Sequence, residues 1–250
     1  PKIPKVNLKK LISSIGPGPL ITAAFIGPGT VTVCTLAGIQ FDYTLLWALA
    51  LSIVATIFLQ ELSGKIGIVT RMDLSQLLRR PSNHPIWRFL LMGLILIAIG
   101  LGNAAYQSGN ITGAYLGLEI FLELPTWKLG PFQVQSGNLL MGVLATLLLW
   151  TGNYKRLEQV LVGLVLLMSI AFLVAAALTK PALMPMLQGF IPQFSTEKLP
   201  TIVALIGTTV VPYNLFLYAS LVQKQWTTEK DLPVMKRDIC ISILFGGLVS

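Results

Sequence analysis

Long segments without a charged residue recur along the chain and predict membrane-spanning helices. Six segments between consecutive Asp, Glu, Lys or Arg residues are 18 to 31 residues long. About 20 apolar residues in a helix cross the roughly 30 Å hydrocarbon core of a bilayer. The pattern therefore predicts six complete spans, at about residues 17–41, 43–68, 87–118, 137–154, 158–179 and 199–223. Residues 239–250 form a seventh apolar segment that is too short to cross, so we expect the chain to be truncated within a seventh helix.

The composition excludes a soluble enzyme. Hydrophobic residues make up 54% of the 250 residues and charged residues only 11%, compared with about 25% charged residues in soluble domains. Cys34 and Cys240 lie within apolar segments, and their spacing fits neither a metal site nor a redox motif. We therefore expect an integral membrane protein that is not an enzyme and that uses no cofactor.

The distribution of basic residues predicts the orientation in the bilayer. With a cytoplasmic N-terminus, 15 of the 18 Lys and Arg residues fall on the cytoplasmic side, and only Lys128, Lys180 and Lys198 fall on the other. Cytoplasmic loops carry such an excess of basic residues. The net charge of +8 is therefore explained by topology, and we expect a plasma-membrane location. The basic residues lie at span ends rather than on one face, which excludes a nucleic-acid partner and leaves the lipid bilayer.

Two of the predicted spans contain helix-breaking residues near their middles. Gly27–Thr30 lies about 15 Å into the first span and Val211–Asn214 about 18 Å into the sixth, at about 1.5 Å per residue. A proline removes a helical hydrogen bond, and the glycines on both sides of Pro28 ease unwinding. Each site alone fits a simple kink, which membrane helices tolerate. Two interrupted spans at corresponding places of two halves, however, point to the substrate site of a transporter.

The span count predicts the fold. The first and sixth spans each open a group of five helices, and an odd number of spans inverts the second group relative to the first. We therefore expect a single transmembrane domain over residues 1–250, an all-α integral membrane protein of the LeuT-like inverted-repeat type with helices 1 and 6 broken. The first repeat covers about residues 11–180, and residues 199–250 begin the second.

The broken helices predict a polar site at half depth. The first halves end before Gly27 and near Thr208, and they turn backbone carbonyls toward the gap, where these attract a cation. The second halves begin near Thr30 and Asn214, two favourable N-cap residue types, and turn N–H groups toward the gap. The same site can therefore hold a cation or a zwitterion.

Three short motifs resemble the Nramp family of proton-coupled divalent metal transporters. They are Gly16–Gly18 at the start of the first span, Ile66–Thr70 at the end of the second and Val211–Leu215 in the sixth. The similarity extends along all six spans. This resemblance implies broken first and sixth helices and two inverted five-helix repeats, in agreement with the span pattern.

The chain departs from the family at the positions that bind metal. The family's aspartate in the first span falls on Gly27, its asparagine or threonine on Thr30, and the methionine of the sixth span on Val211. By this resemblance, only Thr30 and the backbone carbonyl of Thr208 remain as metal ligands, directly or through water. Without the soft thioether and the carboxylate, we do not expect tight binding of a dehydrated transition-metal ion.

The family's proton-handling positions are neutral here as well. Its two histidines fall on Tyr213 and Tyr218, and its acidic pair in the third span falls on Gln107 and Asn110. These side chains exchange no protons near neutral pH, which argues against proton coupling. As alternatives, Gln107 and Asn110 share one helix face and could hold helices together, and the Tyr218 hydroxyl could bond a backbone carbonyl.

These departures favour a largely hydrated divalent cation as the substrate. Mg²⁺ releases its water reluctantly, so a site of neutral carbonyls, amides and hydroxyls suits it better than Mn²⁺ or Fe²⁺. Two alternatives stay open: a carrier of a small neutral or zwitterionic organic solute, and a membrane scaffold or sensor that transports nothing. The candidate substrate site comprises Gly27, Pro28, Gly29, Thr30, Gln107, Asn110, Thr208, Val211, Tyr213 and Asn214.

Glu61 is the one acidic residue with a plausible place inside a span. Lys65 follows it by four residues, which is the favourable order for an ion pair on one helix face. We therefore expect a cytoplasm-facing ion pair rather than a substrate contact.

Overall fold

The computed structural model describes residues 16–78, 85–130, 132–150 and 154–250. The elements in these ranges are α1 (Gly18–Phe25), α2 (Pro28–Phe41), α3 (Leu46–Thr70), α4 (Leu74–Leu78), α5 (Pro85–Glu119), β1 (Thr126–Leu129), β2 (Phe132–Gln135), α6 (Ser136–Trp150), α7 (Tyr154–Thr179), α8 (Leu183–Gln188), α9 (Leu199–Thr209), α10 (Pro212–Gln225), a 3₁₀ turn (Glu229–Asp231) and α11 (Leu232–Val249). A helix or a pair of helices lies over each of the six predicted spans. The predictions for residues 1–15, 79–84 and 151–153 fall outside the described residues.

The first span is broken, and its halves α1 and α2 meet at an angle of 58°. Ile26 and Gly27 lie outside both helices, and the backbone of Gly27 is extended, with φ −126° and ψ 175°. Pro28 takes the first position of α2, where its missing N–H costs no helical hydrogen bond. The prediction of a break at this motif is confirmed.

The sixth span is interrupted by two residues. α9 ends at Thr209, Val210 and Val211 leave the helix, and Pro212 opens α10. Val211 has φ −96° and ψ 118°, the extended conformation that a following proline favours. The two halves nevertheless form one apolar span of 27 residues.

Several helices are long and apolar enough to cross a membrane. In the described part of the chain these are α3, α5 from Phe89 onward and the α9–α10 span, and the bent pair α1–α2 makes a fourth. α6 and the 163–179 part of α7 are shorter apolar helices. Large apolar side chains such as Phe89 and Leu101 are mostly exposed, which suits a surface in contact with lipid. The chain is therefore an integral membrane protein.

A short antiparallel hairpin lies between α5 and α6, where the sequence predicted no regular structure. Thr126 pairs with Gln135 and Leu129 pairs with Phe132. Gly130 has a φ of +62°, which a glycine adopts without strain in such a turn. The hairpin adds to the helical fold without changing the order of the spans.

Helix α3 packs closely and extensively against α10. A Cβ atom on Gly64 would lie 2.7 Å from Tyr218 Cε1, and one on Gly67 would lie 2.8 Å from Val222 Cγ2. Tyr218 and Val222 are fully buried in an apolar core that α1 and α11 complete. Small residues permit such close approach of membrane helices. The first predicted repeat is thus held to the start of the second at this contact.

Asp238 of α11 caps the start of the first span. Its carboxylate accepts hydrogen bonds from the backbone N–H groups of Gly16 and Gly18, each 2.8 Å long. A carboxylate at this position satisfies N–H groups that have no helical partner and interacts favourably with the helix dipole. No local pattern predicts this contact, because the partners are more than 200 residues apart in the chain.

Glu61 forms the predicted ion pair. Its carboxylate lies 2.6 Å from Lys65 Nζ and also 3.2 Å from Lys236 Nζ of α11. The charge of Glu61 is therefore compensated by two ammonium groups.

We predict that Gly67→Ala destabilises the protein, because the added methyl group meets the backbone carbonyl of Ala219 and the side chain of Val222. Overpacking of this kind costs about 1–3 kcal/mol, so the thermal unfolding midpoint in detergent should fall. Gly102→Ala is the matched control, since no atom lies within 4 Å of its added Cβ, and its midpoint should stay equal or rise. Equal midpoints for both variants would contradict the close contact of α3 with α10.

Candidate functional site

The last carbonyls of α1 are bonded to hydroxyl groups. The Phe25 carbonyl accepts hydrogen bonds from Thr30 Oγ1 across the break and from the Tyr106 hydroxyl of α5, the latter 2.9 Å long. The Ala24 carbonyl accepts from the Tyr213 hydroxyl of α10 at 3.1 Å and from Tyr106 at 3.4 Å. The sequence predicted that these carbonyls face the gap and attract a cation. Instead, three hydroxyl groups bond them, and the Gly27 N–H also donates to the Phe25 carbonyl.

Asn110 of α5 lies against the start of α2. Its Oδ1 accepts a hydrogen bond of 3.3 Å from the Gly29 N–H, and its Nδ2 donates one of 3.4 Å to Gln107 Oε1. A Cβ atom on Gly27 would lie 2.8 Å from the same Asn110 oxygen. The amide therefore occupies the space beside Gly27 that a side chain at that position would need. Asn110 therefore contacts the first break and holds α5 to α2, whereas the exposed Gln107 bonds only Asn110 of its own helix among the hydrogen bonds of the described residues.

The second break contains buried polar residues. Thr209 and Asn214 are 2% and 1% exposed. The hydroxyls of Thr208 and Thr209 both donate to the Leu205 carbonyl of their own helix, at 3.1 and 3.0 Å. Val211, the residue in the position of the family's methionine, is buried among apolar side chains.

The predicted N-caps are wrong. The residues that precede α2 and α10 are Gly27 and Val211, and neither provides a side-chain cap. The prolines take the first helical position because their fixed φ and missing N–H suit it. Thr30 and Asn214 consequently become the third residues of their helices.

Tyrosine residues connect the two breaks. The Tyr213 hydroxyl reaches from the start of α10 to the end of α1, and its ring packs edge-on against Tyr106, with the ring centroids 6.1 Å apart at 68°. The structure thus brings the first break, span three and the start of α10 together. Sequence reasoning missed Tyr106, although it stands four residues before Asn110 and so shares its helix face.

The polar groups that meet at the breaks carry no formal charge. Hydroxyls, carboxamides and backbone groups make up the hydrogen bonds described above. The described ranges contain no group of three or more His, Cys, Asp or Glu residues that could hold a metal ion. The chemistry of this site is therefore dipolar, with both acceptors and donors.

One cavity of the described residues lies away from the breaks. It has a volume of about 410 Å³ and opens between α2, the start of α3 and α9. Its lining residues are Cys34, Ala37, Gly38, Asp42, Tyr43, Leu45, Leu46, Leu49, Leu205 and Ser250. None of the ten predicted site residues lines it.

Comparisons with known proteins agree with the predicted relationship. A family model described as "Natural resistance-associated macrophage protein-like" matches residues 18–250. The chain is 31% identical over 245 residues to metal transporter Nramp1 of Oryza sativa subsp. japonica, which covers 95% of this chain and 44% of that protein. It is 28% identical over 252 residues to the divalent metal cation transporter MntH of Latilactobacillus sakei, which covers 96% and 51%. The chain spans about half the length of these relatives.

Solved structures show the same fold. The manganese transporter of Eremococcus coleocola superposes on the chain with a TM-score of 0.73 at 24% identity, covering 100% of this chain and 52% of that one. The LeuT-like inverted-repeat fold with broken helices is therefore confirmed.

We predict that Tyr106→Phe and Tyr213→Phe act non-additively on stability. Either variant alone leaves the Ala24 carbonyl one hydroxyl donor, whereas the double variant leaves it none. A buried acceptor without a partner costs about 1–3 kcal/mol, so the double variant should lose more than the sum of the single losses. Denaturant or thermal unfolding of all four proteins in detergent measures this, and strictly additive losses would contradict the shared carbonyl.

Proposed function

The chain belongs to the Nramp family, and we propose that it is a transporter that moves a divalent metal cation across a membrane. Mn²⁺ and other divalent metals are the substrates that its relatives' names give. For this chain we propose hydrated Mg²⁺ in preference to Mn²⁺ or Fe²⁺, without a coupled proton. The proposed contacts are the ten candidate residues at the two breaks and on α5.

The observation that carries the proposal is the neutral lining of the first break. Hydroxyls of Thr30, Tyr106 and Tyr213 bond the carbonyls at the end of α1, and the amide of Asn110 lies beside Gly27. A bare divalent ion in such a site would have no compensating negative charge, which is very unfavourable away from water. An ion that keeps its water shell avoids most of that cost. Mg²⁺ is the common divalent cation that does so.

The hydrogen bonds at the positions where the family has its proton-handling residues support uncoupled transport. The Tyr213 hydroxyl donates to the Ala24 carbonyl and the Tyr218 hydroxyl to the Met235 carbonyl. Gln107 and Asn110 bond each other. Phenols and amides do not titrate near pH 7, so these side chains offer no route for a proton that accompanies the ion.

The proposed mechanism is alternating access. The substrate binds between the breaks, and one bundle rocks against the other around the site. The excess of basic residues on one side supports a cytoplasmic N-terminus, and we propose the plasma membrane as the location. Because the site is neutral, a small zwitterionic or neutral organic solute is the second candidate substrate.

We predict that the full-length protein in liposomes admits Mg²⁺ without acidifying the lumen. The expected reason is that, among the described residues, no side chain at the breaks titrates near pH 7. A Mg²⁺-sensitive dye and a pH-sensitive dye inside the vesicles measure the two fluxes together. Micromolar Mn²⁺ should compete little with millimolar Mg²⁺. Tight Mn²⁺ uptake accompanied by protons would overturn the choice of substrate, and uptake of an amino acid in place of Mg²⁺ would favour the second candidate.

We predict that restoring a carboxylate and a thioether creates Mn²⁺ binding. The variant is Gly27→Asp with Val211→Met, and it also needs Asn110→Ala, because the Asn110 oxygen lies 2.8 Å from the new Cβ. The affinity for Mn²⁺, measured by calorimetry, should rise at least about tenfold, which corresponds to roughly 1.4 kcal/mol. The matched control carries Gly27→Asn in place of Gly27→Asp and keeps the size without the charge. If the two variants bind Mn²⁺ equally, position 27 does not face the ion.

A further inference from the structure

Two buried amide oxygens lie outside the hydrogen-bond network of the breaks. Gln60 of α3 and Asn214 of α10 are each 1% exposed. Neither Gln60 Oε1 nor Asn214 Oδ1 accepts a hydrogen bond from the described part of the chain. A buried acceptor without a partner is unfavourable, so native proteins keep few of them, and those they keep often serve a function.

The register of the two helices places Gln60 and Asn214 at the same level of the α3–α10 contact. α3 and α10 run side by side in the same direction, since Gly64 lies against Tyr218 and Gly67, further on, lies against Val222. Gln60 stands four residues before Gly64, and Asn214 stands four residues before Tyr218. Residues four apart lie on the same helix face, so Gln60 of α3 and Asn214 of α10 lie on the contacting faces one turn before the Gly64 contact.

The amide pair is close to the second break. Asn214 is the third residue of α10, directly after Tyr213, whose hydroxyl bonds the last turn of α1. The hydroxyl of Ser63, three residues after Gln60, donates to the Leu215 carbonyl and fixes α3 against this turn. The two oxygens are thus held by rigid helices beside the proposed path of the substrate.

A hydrated cation needs hydrogen-bond acceptors. Every water in its shell turns its hydrogen atoms outward, so the protein must offer oxygen atoms with lone pairs that are still free to accept hydrogen bonds. At the first break the Ala24 and Phe25 carbonyls are engaged by hydroxyls, and Asn110 Oδ1 is engaged by the Gly29 N–H. The oxygens of Gln60 and Asn214 are unengaged acceptors next to this arrangement.

We propose that Gln60, together with Asn214, contacts the water shell of the transported divalent cation. Gln60 then becomes a substrate-binding residue outside both helix breaks. This inference rests on the proposed transport of a hydrated cation. A bare ion is disfavoured at the amide pair, because Glu61, the acid next to Gln60, is paired with Lys65 and Lys236.

The test compares Gln60→Met with the wild type in Mg²⁺ uptake by liposomes that contain the full-length protein. Methionine keeps the size of glutamine and removes the oxygen, so the KM for Mg²⁺ should rise about tenfold while the unfolding midpoint stays equal or rises. Gln193→Met, in an exposed loop, is the matched control and should leave the KM unchanged. An unchanged KM in Gln60→Met, or a lower unfolding midpoint with an unchanged KM, overturns the inference and leaves the proposed function standing.

A second variant covers a failure of Gln60→Met to fold. Gln60→Glu keeps two acceptor oxygens and adds a charge, so its KM for Mg²⁺ should fall at least about threefold, and Mn²⁺ should begin to compete. An unchanged or higher KM in this variant contradicts a contact with the cation. If the wild type itself moves no Mg²⁺, the proposed function fails, and this inference fails with it.

Discussion

The carbonyl groups that a broken helix releases inside an apolar bundle must find partners, and the rest of this structure depends on how they do so. No bulk water reaches hydrocarbon depth, so an unbonded carbonyl there is strongly unfavourable. In this chain the Ala24 and Phe25 carbonyls are bonded by hydroxyls from three elements, α2, α5 and α10. These bonds stabilise the break and fix α5 and α10 against it.

The neutral character of these partners determines what the site can bind. A carboxylate at position 27 would compensate a bare ion, but that position is a glycine whose space is taken by the Asn110 amide. The remaining groups offer dipoles of both signs. Dipoles suit a species that carries its own hydrogen-bonding surface, such as a hydrated cation, better than a dehydrated metal ion. The neutral residues at the family's proton positions agree with the proposed uncoupled transport, which needs no titratable group.

The breaks themselves could be predicted from the sequence, because proline and glycine act locally. Pro28 and Pro212 open their helices as the chemistry of the first turn requires. Gln107 and Asn110 could be assigned to the candidate site only through the family resemblance, which places the family's acidic pair at these two positions. The contacts of Asp238 and Tyr106 and the burial of Gln60 could not be predicted in this way, because each depends on helices distant in sequence. The hairpin between α5 and α6 was missed because its strands have only four residues each.

The most direct measurement of the central claim is the position of a bound ion in a high-resolution cryo-EM map of the full-length protein in saturating Mg²⁺. The account predicts an ion at the breaks that is surrounded by water, with protein oxygens roughly 4 Å from the ion. This distance results because the Mg–water bond of about 2.1 Å and the hydrogen bond from that water to the protein meet at an angle at the water oxygen. Protein oxygens or a carboxylate at about 2.1 Å from the ion would show direct coordination. That result would contradict a neutral site for a hydrated cation.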